Sequence, residues 1–91
     1  MFVKLRAADF AAWKPVFEEL EPMRRQAGFT AHSLHRDAED PSVIIIAYRV
    51  SDIAHAREYA SSPDLRQAMQ RAGVQGPPEF WFAEDVEDRT Y

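Results

Sequence analysis

Residues Val43–Val50 read VIIIAYRV, and the first five are apolar without a break. A strand in a sheet open to water on one face alternates apolar and polar side chains, so this run marks a strand covered on both faces. Before it lies a polar stretch, Arg36–Ser42, with Asp37, Asp40 and Pro41, and before that a run of mixed polarity, Phe29–His35. The three together predict a hairpin with Phe29–His35 as an edge strand and Val43–Val50 as its inner neighbour.

Working outward, Phe2–Arg6 reads as a short strand with Val3 and Leu5 on one face and Phe2, Lys4 and Arg6 on the other. Asp9 suits the N-cap of a helix whose apolar positions Phe10, Trp13, Phe17 and Leu20 follow the spacing of one helical face. Pro15 and Pro22 predict an irregular helix with a kink near Pro22, Arg24 and Arg25 fall near its negative C-terminal end, and Gly28 stops it. On the other side, Asp52 caps a short helix to about Ala60. Ser62, Pro63 and Asp64 then open a second helix that presents Leu65, Ala68, Met69 and Ala72 and stops at Gly73. GVQGPP is a turn, and Glu79–Asp85 is a last strand.

This order predicts an α+β fold, a ferredoxin-like βαββαβ sandwich whose four-stranded antiparallel sheet has its first and third strands in the middle. Residues 1–91 are expected to form one domain. No segment is left to cover the second face of Val43–Val50. The expected cover is the same surface of a second copy, a homodimer through the sheet that closes a dimeric α+β barrel.

Size points the same way, because a 91-residue chain buries only about 60–65% of its unfolded surface and gains from a partner. No apolar run approaches a membrane span, and the N-terminal MFVKLRAAD lacks the apolar core of a secretory signal, so a cytoplasmic location is expected. There is no cysteine, which excludes disulfides and thiolate chemistry, and no asparagine. Eleven basic residues against fifteen acidic ones give a net charge of −4 with no basic stripe, so neither nucleic acid nor an anionic membrane is an expected partner.

W-x(3)-F at Trp13–Phe17, Gly28 before a strand, H-x(3)-R at His32–Arg36, the Asp40–Pro41 pair, the Asp52 cap and S-P-D-L-R-x-A-M-x-x-A-G-V-x-G-P-P at Ser62–Pro78 together resemble the antibiotic biosynthesis monooxygenase-like family of the dimeric α+β barrel superfamily. The resemblance covers almost the whole chain. It implies a dimeric barrel, and an activity drawn from a superfamily of cofactor-free monooxygenases, haem-degrading enzymes, isomerases and cyclases. The asparagine on which the characterised cofactor-free monooxygenases and the haem-degrading members rely has no counterpart here, since the chain contains none.

His32 is the candidate proton-transfer residue, because an imidazole on a strand titrates near neutrality. If Leu34 pairs with Ile44, His32 lies beside Ile46 and Thr30 beside Tyr48, which makes Tyr48 a second catalytic candidate. A register shifted by one sets His32 beside Ala47, and the loop length does not decide between them. Trp13, Phe17, Tyr59, Met69 and Trp81 are the candidate walls of a flat apolar pocket for an aromatic or polyketide-like ligand. No metal or cofactor is expected. His32 and His35 are three apart on one strand and point to opposite faces, and GVQGPP follows a helix rather than opening one, with two prolines that offer no N–H. The reaction class expected is cofactor-independent oxygenation, cyclisation or isomerisation. A non-catalytic binding or assembly module of the same fold is the alternative.

Overall fold

The computed structural model describes residues 1–91 as β1 (Phe2–Arg6), α1 (Phe10–Glu19), α2 (Glu21–Gln26), β2 (Phe29–Arg36), β3 (Val43–Val50), α3 (Ile53–Ala60), α4 (Pro63–Arg71) and β4 (Glu79–Trp81). The helix termini are set by short polar side chains. The Asp9 carboxylate accepts from Ala12 N at 3.3 Å, Asp52 from Ala54 N at 2.8 Å, and the Ser62 hydroxyl from Leu65 N at 3.2 Å, each satisfying an N–H that the first helical turn leaves free. The expected kink is a complete break: α1 ends at Leu20, and α2 restarts with Pro22 in its first turn, where a missing N–H costs nothing.

The sheet is antiparallel, in the order β2-β3-β1-β4, which puts β1 and β3 in the middle. Its inner face carries Val3, Leu5, Ile44 and Ile46. Ile44 and Ile46 are 0% and 2% exposed, and burial of each contributes about 1.5–3 kcal/mol. The helices cover this face with Trp13, Phe17, Ala56, Tyr59 and Leu65. No helix is long and apolar enough to cross a membrane.

The hairpin adopts neither expected register. Leu34 pairs with Ile46, and His32 pairs with Tyr48. This lies two residues from the first alternative, so His32 keeps the same face. The turn is centred one residue later, on Asp40, where Asp37 accepts from Glu39 N and Asp40 N at 2.8 and 3.1 Å and Asp40 accepts from Ser42 N at 3.0 Å. Thr30 does not join Tyr48; it sits in a bulge between Phe29 and Ala31, where its hydroxyl donates to Arg49 O at 3.3 Å. The last strand is also shorter than expected. Trp81 pairs with Phe2, where β1 ends, so Phe82–Asp85 has no ladder to join.

The outer face of the sheet carries a cross-strand row of Trp81, Phe2, Ala47 and Ser33, with Ile45 in the next row beside Lys4. Phe2 is 46% and Trp81 49% exposed. The apolar outer half of β3 therefore continues into an exposed aromatic pair.

Candidate functional site

Between the sheet and the helices is a cavity of about 40 Å³, and every residue lining it is hydrophobic except Arg24. Trp13, Phe17, Tyr48, Tyr59 and Met69, five of the residues expected at a site, come together in its walls. The helical spacing of α1 stacks Trp13 on Phe17 with ring centroids 4.9 Å apart. Phe29 is set edge-on to both Tyr48 and Tyr59, at 4.9 and 5.2 Å, and holds the two phenols on one side.

Arg24 of α2 is the one charged group in this wall, and it is only 3% exposed. Its guanidinium carbon lies 3.9 Å from the centre of the Phe17 ring, which supplies a cation–π contact. Its Nη1 is buried and meets no acceptor, none of the ion pairs in the chain includes it, and the buried Tyr59 hydroxyl likewise has no partner. Burial pushes the Tyr59 phenol above its usual pKa, while the Arg24 charge and the nearness of its guanidinium to the phenol oxygen pull the other way. Tyr48 is raised mainly by burial, again opposed by Arg24, so both phenols stay protonated at neutral pH and are donors rather than counter-ions.

A second, more open cleft of about 290 Å³ lies outside the first, between α2 and β2, and includes Glu21, Arg25, Thr30 and His32. Arg24 and Tyr48 line both spaces and form the boundary between them. His32 stands at this rim rather than in the inner cavity. Its ring is edge-on to Phe17 at 5.0 Å and 6.3 Å from Tyr48. Desolvation first, and the Arg24 charge second, lower its pKa from the ordinary value, which keeps the imidazole neutral near pH 7, with a free ring nitrogen to accept a proton. His35 lies on the opposite face of β2, where its Nε2 is 2.9 Å from Ser33 Oγ.

Trp81 is not part of this assembly. In β4, Phe80 reaches the inner cavity and Trp81 turns to the outer face, because neighbouring strand residues alternate. Arg24 was missed in the sequence, where it reads as a cation at a helix C-terminus. The signal is present all the same: Phe10, Trp13, Phe17, Leu20 and Arg24 continue one 3, 4, 3, 4 spacing, so Arg24 falls on the apolar stripe.

The sequence matches no family model and has no significant similarity to a curated protein. The fold is another matter. A structure from Bordetella bronchiseptica assigned to the antibiotic biosynthesis monooxygenases superposes with a TM-score of 0.76, covering 94% of each chain at 15% identity. This chain has the antibiotic biosynthesis monooxygenase fold. Another structure so assigned, from Deinococcus radiodurans, matches with a TM-score of 0.67 over 98% of this chain and 95% of the other, at 14% identity. SnoaB, a cofactor-independent oxygenase from Streptomyces nogalater, shares the monooxygenase fold with a TM-score of 0.66 and 17% identity, over 93% of this chain and 92% of its own.

Proposed function

We propose that this chain is a cytoplasmic homodimer that takes an apolar aromatic or polyketide-like metabolite between sheet and helices and transforms it without a cofactor, by oxygenation, cyclisation or isomerisation. The observation that carries this reading is the apolar cavity whose only polar groups are a buried guanidinium and two protonated phenols, with a neutral imidazole at its mouth. Those groups suit one chemistry. His32 removes a proton from an acidic C–H or O–H, and Tyr48 donates a hydrogen bond to the oxygen on which the resulting charge settles. An enolate or phenolate of that kind is electron-rich enough to reduce oxygen itself. The likeness to SnoaB, a cofactor-independent oxygenase, supports the same direction.

The homodimer is supported by the outer face, where Phe2 and Trp81 lie side by side and Ala47 and Ile45 extend the patch. Patches of this kind on a small protein mark an interaction surface.

The test of turnover is oxygen uptake with a panel of hydroxyquinols and anthrones, using the native chain and His32→Ala. Turnover that falls by about 100-fold in the variant supports the role of His32, a loss typical of removing a general base. No turnover by the native chain, with no difference in binding between the two proteins, sinks the enzymatic reading.

A non-catalytic binding module is the second reading, favoured by the size of the inner space. Its 40 Å³ holds about two or three waters, whereas a benzene ring needs roughly 150 Å³. An aromatic ring therefore enters only in part, or only as the helices part.

A further inference from the structure

We propose that Arg24 is an anion anchor, and that the ligand of this protein is a planar oxyanion, a ring-borne carboxylate or phenolate, whose charged oxygen binds Arg24 where the inner cavity and the outer cleft meet. The proposal rests on the reading of this region as a ligand site and goes further by fixing the charge of what binds there.

Four observations carry it. Arg24 is 97% buried (3% exposed) and its Nη1 has no acceptor. A guanidinium cannot shed its proton to escape such a site, as a lysine can. Burying an ion costs several kcal/mol unless it is paired, and the Phe17 face offsets only a part of that. The acids nearby are engaged elsewhere or turned to solvent: Glu21 pairs with Arg25 at 3.1 Å, and Glu18 with Lys14 at 2.8 Å.

The neighbours of Arg24 then define the missing partner. Tyr59 offers an unpartnered hydroxyl beside the unpartnered Arg24 Nη1, and Tyr48 a third donor at the boundary. One guanidinium and two phenols give several donors around a single positive charge with no anionic oxygen to balance it, which describes a receptor for an oxyanion. The flanking surfaces of Phe17, Phe29 and Tyr48 are flat and apolar, which favours a ring over a tetrahedral anion such as phosphate. The ring itself has room in the outer cleft, beside His32 and Thr30, while its oxygen reaches inward to Arg24.

The experiment uses the full chain and two probes. Benzoate is compared with its uncharged isostere benzamide by calorimetric titration, and 4-nitrophenol is followed by the colour of its phenolate. Each is measured on the native protein, on Arg24→Lys, which keeps the charge, and on Arg24→Met, which keeps the volume. Native protein is expected to bind benzoate at least about ten-fold tighter than benzamide and to lower the apparent pKa of bound 4-nitrophenol by about 1 unit. Arg24→Met is expected to fold with unchanged or raised thermal stability and to lose both preferences, while Arg24→Lys retains part of them. Tyr59→Phe, which leaves the charge in place, is expected to weaken benzoate by a few-fold.

Benzoate binding alone identifies a carboxylate ligand, and a 4-nitrophenol shift alone a phenolate; either supports the anchor. No binding of either anion, an equal affinity for benzamide, or a preference that survives Arg24→Met overturns it. If Arg24→Met fails to fold, Tyr59→Phe and Arg24→Lys decide, since a benzoate preference unaltered in both refutes the receptor. Failure of the enzymatic reading looks different: anions bind through Arg24 but no oxygen is consumed. Oxygen uptake that Arg24→Met leaves unchanged would instead keep the enzyme and discard the anchor.

Discussion

Replacement of Trp81 by alanine isolates the outer face of the sheet. The indole is 49% exposed and lies outside the apolar core, so its loss leaves the packing between sheet and helices intact. A tryptophan presents about 200 Å² of surface, so about 100 Å² is free in each subunit and about 200 Å² across a two-fold axis. At ~25 cal/mol per Å² that area is worth up to ~5 kcal/mol of association. Area overstates affinity because binding also immobilises side chains, and half of that value, ~2.5 kcal/mol, raises the dimer dissociation constant roughly 70-fold. Sedimentation velocity over a concentration series, with circular dichroism to verify the fold, measures the change. A native chain that sediments as a monomer throughout the micromolar range refutes the two-face explanation of VIIIAYRV, and a dimer indifferent to Trp81→Ala places the interface elsewhere.

Gly28 has φ +89°, and an added Cβ would stand 2.6 Å from Ser51 Oγ, so Gly28→Ala is expected to cost about 2 kcal/mol and lower the melting temperature by about 10 °C. Adding Ser51→Ala should restore part of the loss, and a melt at the native temperature for Gly28→Ala alone contradicts the strain. The Ser42 hydroxyl, then Arg6, then Ser42 N–H hold the Asp40 carboxyl down to about 2. Stability from this depressed group is present above its unfolded value of about 4 and is lost as pH falls toward 2. Asp40→Asn should therefore flatten the acid limb of a denaturation profile between those values, though Asp37, lowered by the Glu39 and Asp40 N–H groups, keeps some slope. His32 senses Arg24, Lys14 and Glu21 in addition to its burial. Arg24→Met removes a nearby positive charge, so the His32 pKa read from its ring protons by NMR should rise; an unmoved titration would mean that the two side chains do not feel each other.

Much of the fold was legible because local and global signals agree. The bounds of β1 and β3, the Asp9, Asp52 and Ser62 caps and the Gly28 stop all follow from chemistry within a few residues of each position. The hairpin register was not legible, since it depends on carboxylates turning back onto the loop backbone, which loop length does not reveal. The site divides in the same way. Trp13 and Phe17 follow from the helical periodicity of α1 and Met69 from that of α4, whereas Trp81 falls on the outer face, which the unbroken aromatic run Phe80–Phe82 does not reveal because it shows no alternation. Arg24 carries two signals at once: its charge suits a helix end, and its position continues the apolar stripe that takes it inside.

The narrowness of the inner cavity has a consequence for time as well as for fit. Leu65, Ala68, Met69 and Ala72 of α4 and its C-cap form one wall, and Leu20 and Arg24 flank the break between α1 and α2 on another. A ring that goes deeper than the rim must wait for those segments to separate, so entry proceeds at the pace of their breathing and not of diffusion. Stopped-flow association should then level off as ligand concentration rises, at a plateau equal to the opening rate. Substitutions at the Leu20 junction would change that plateau while leaving Arg24, Tyr48 and Tyr59 untouched.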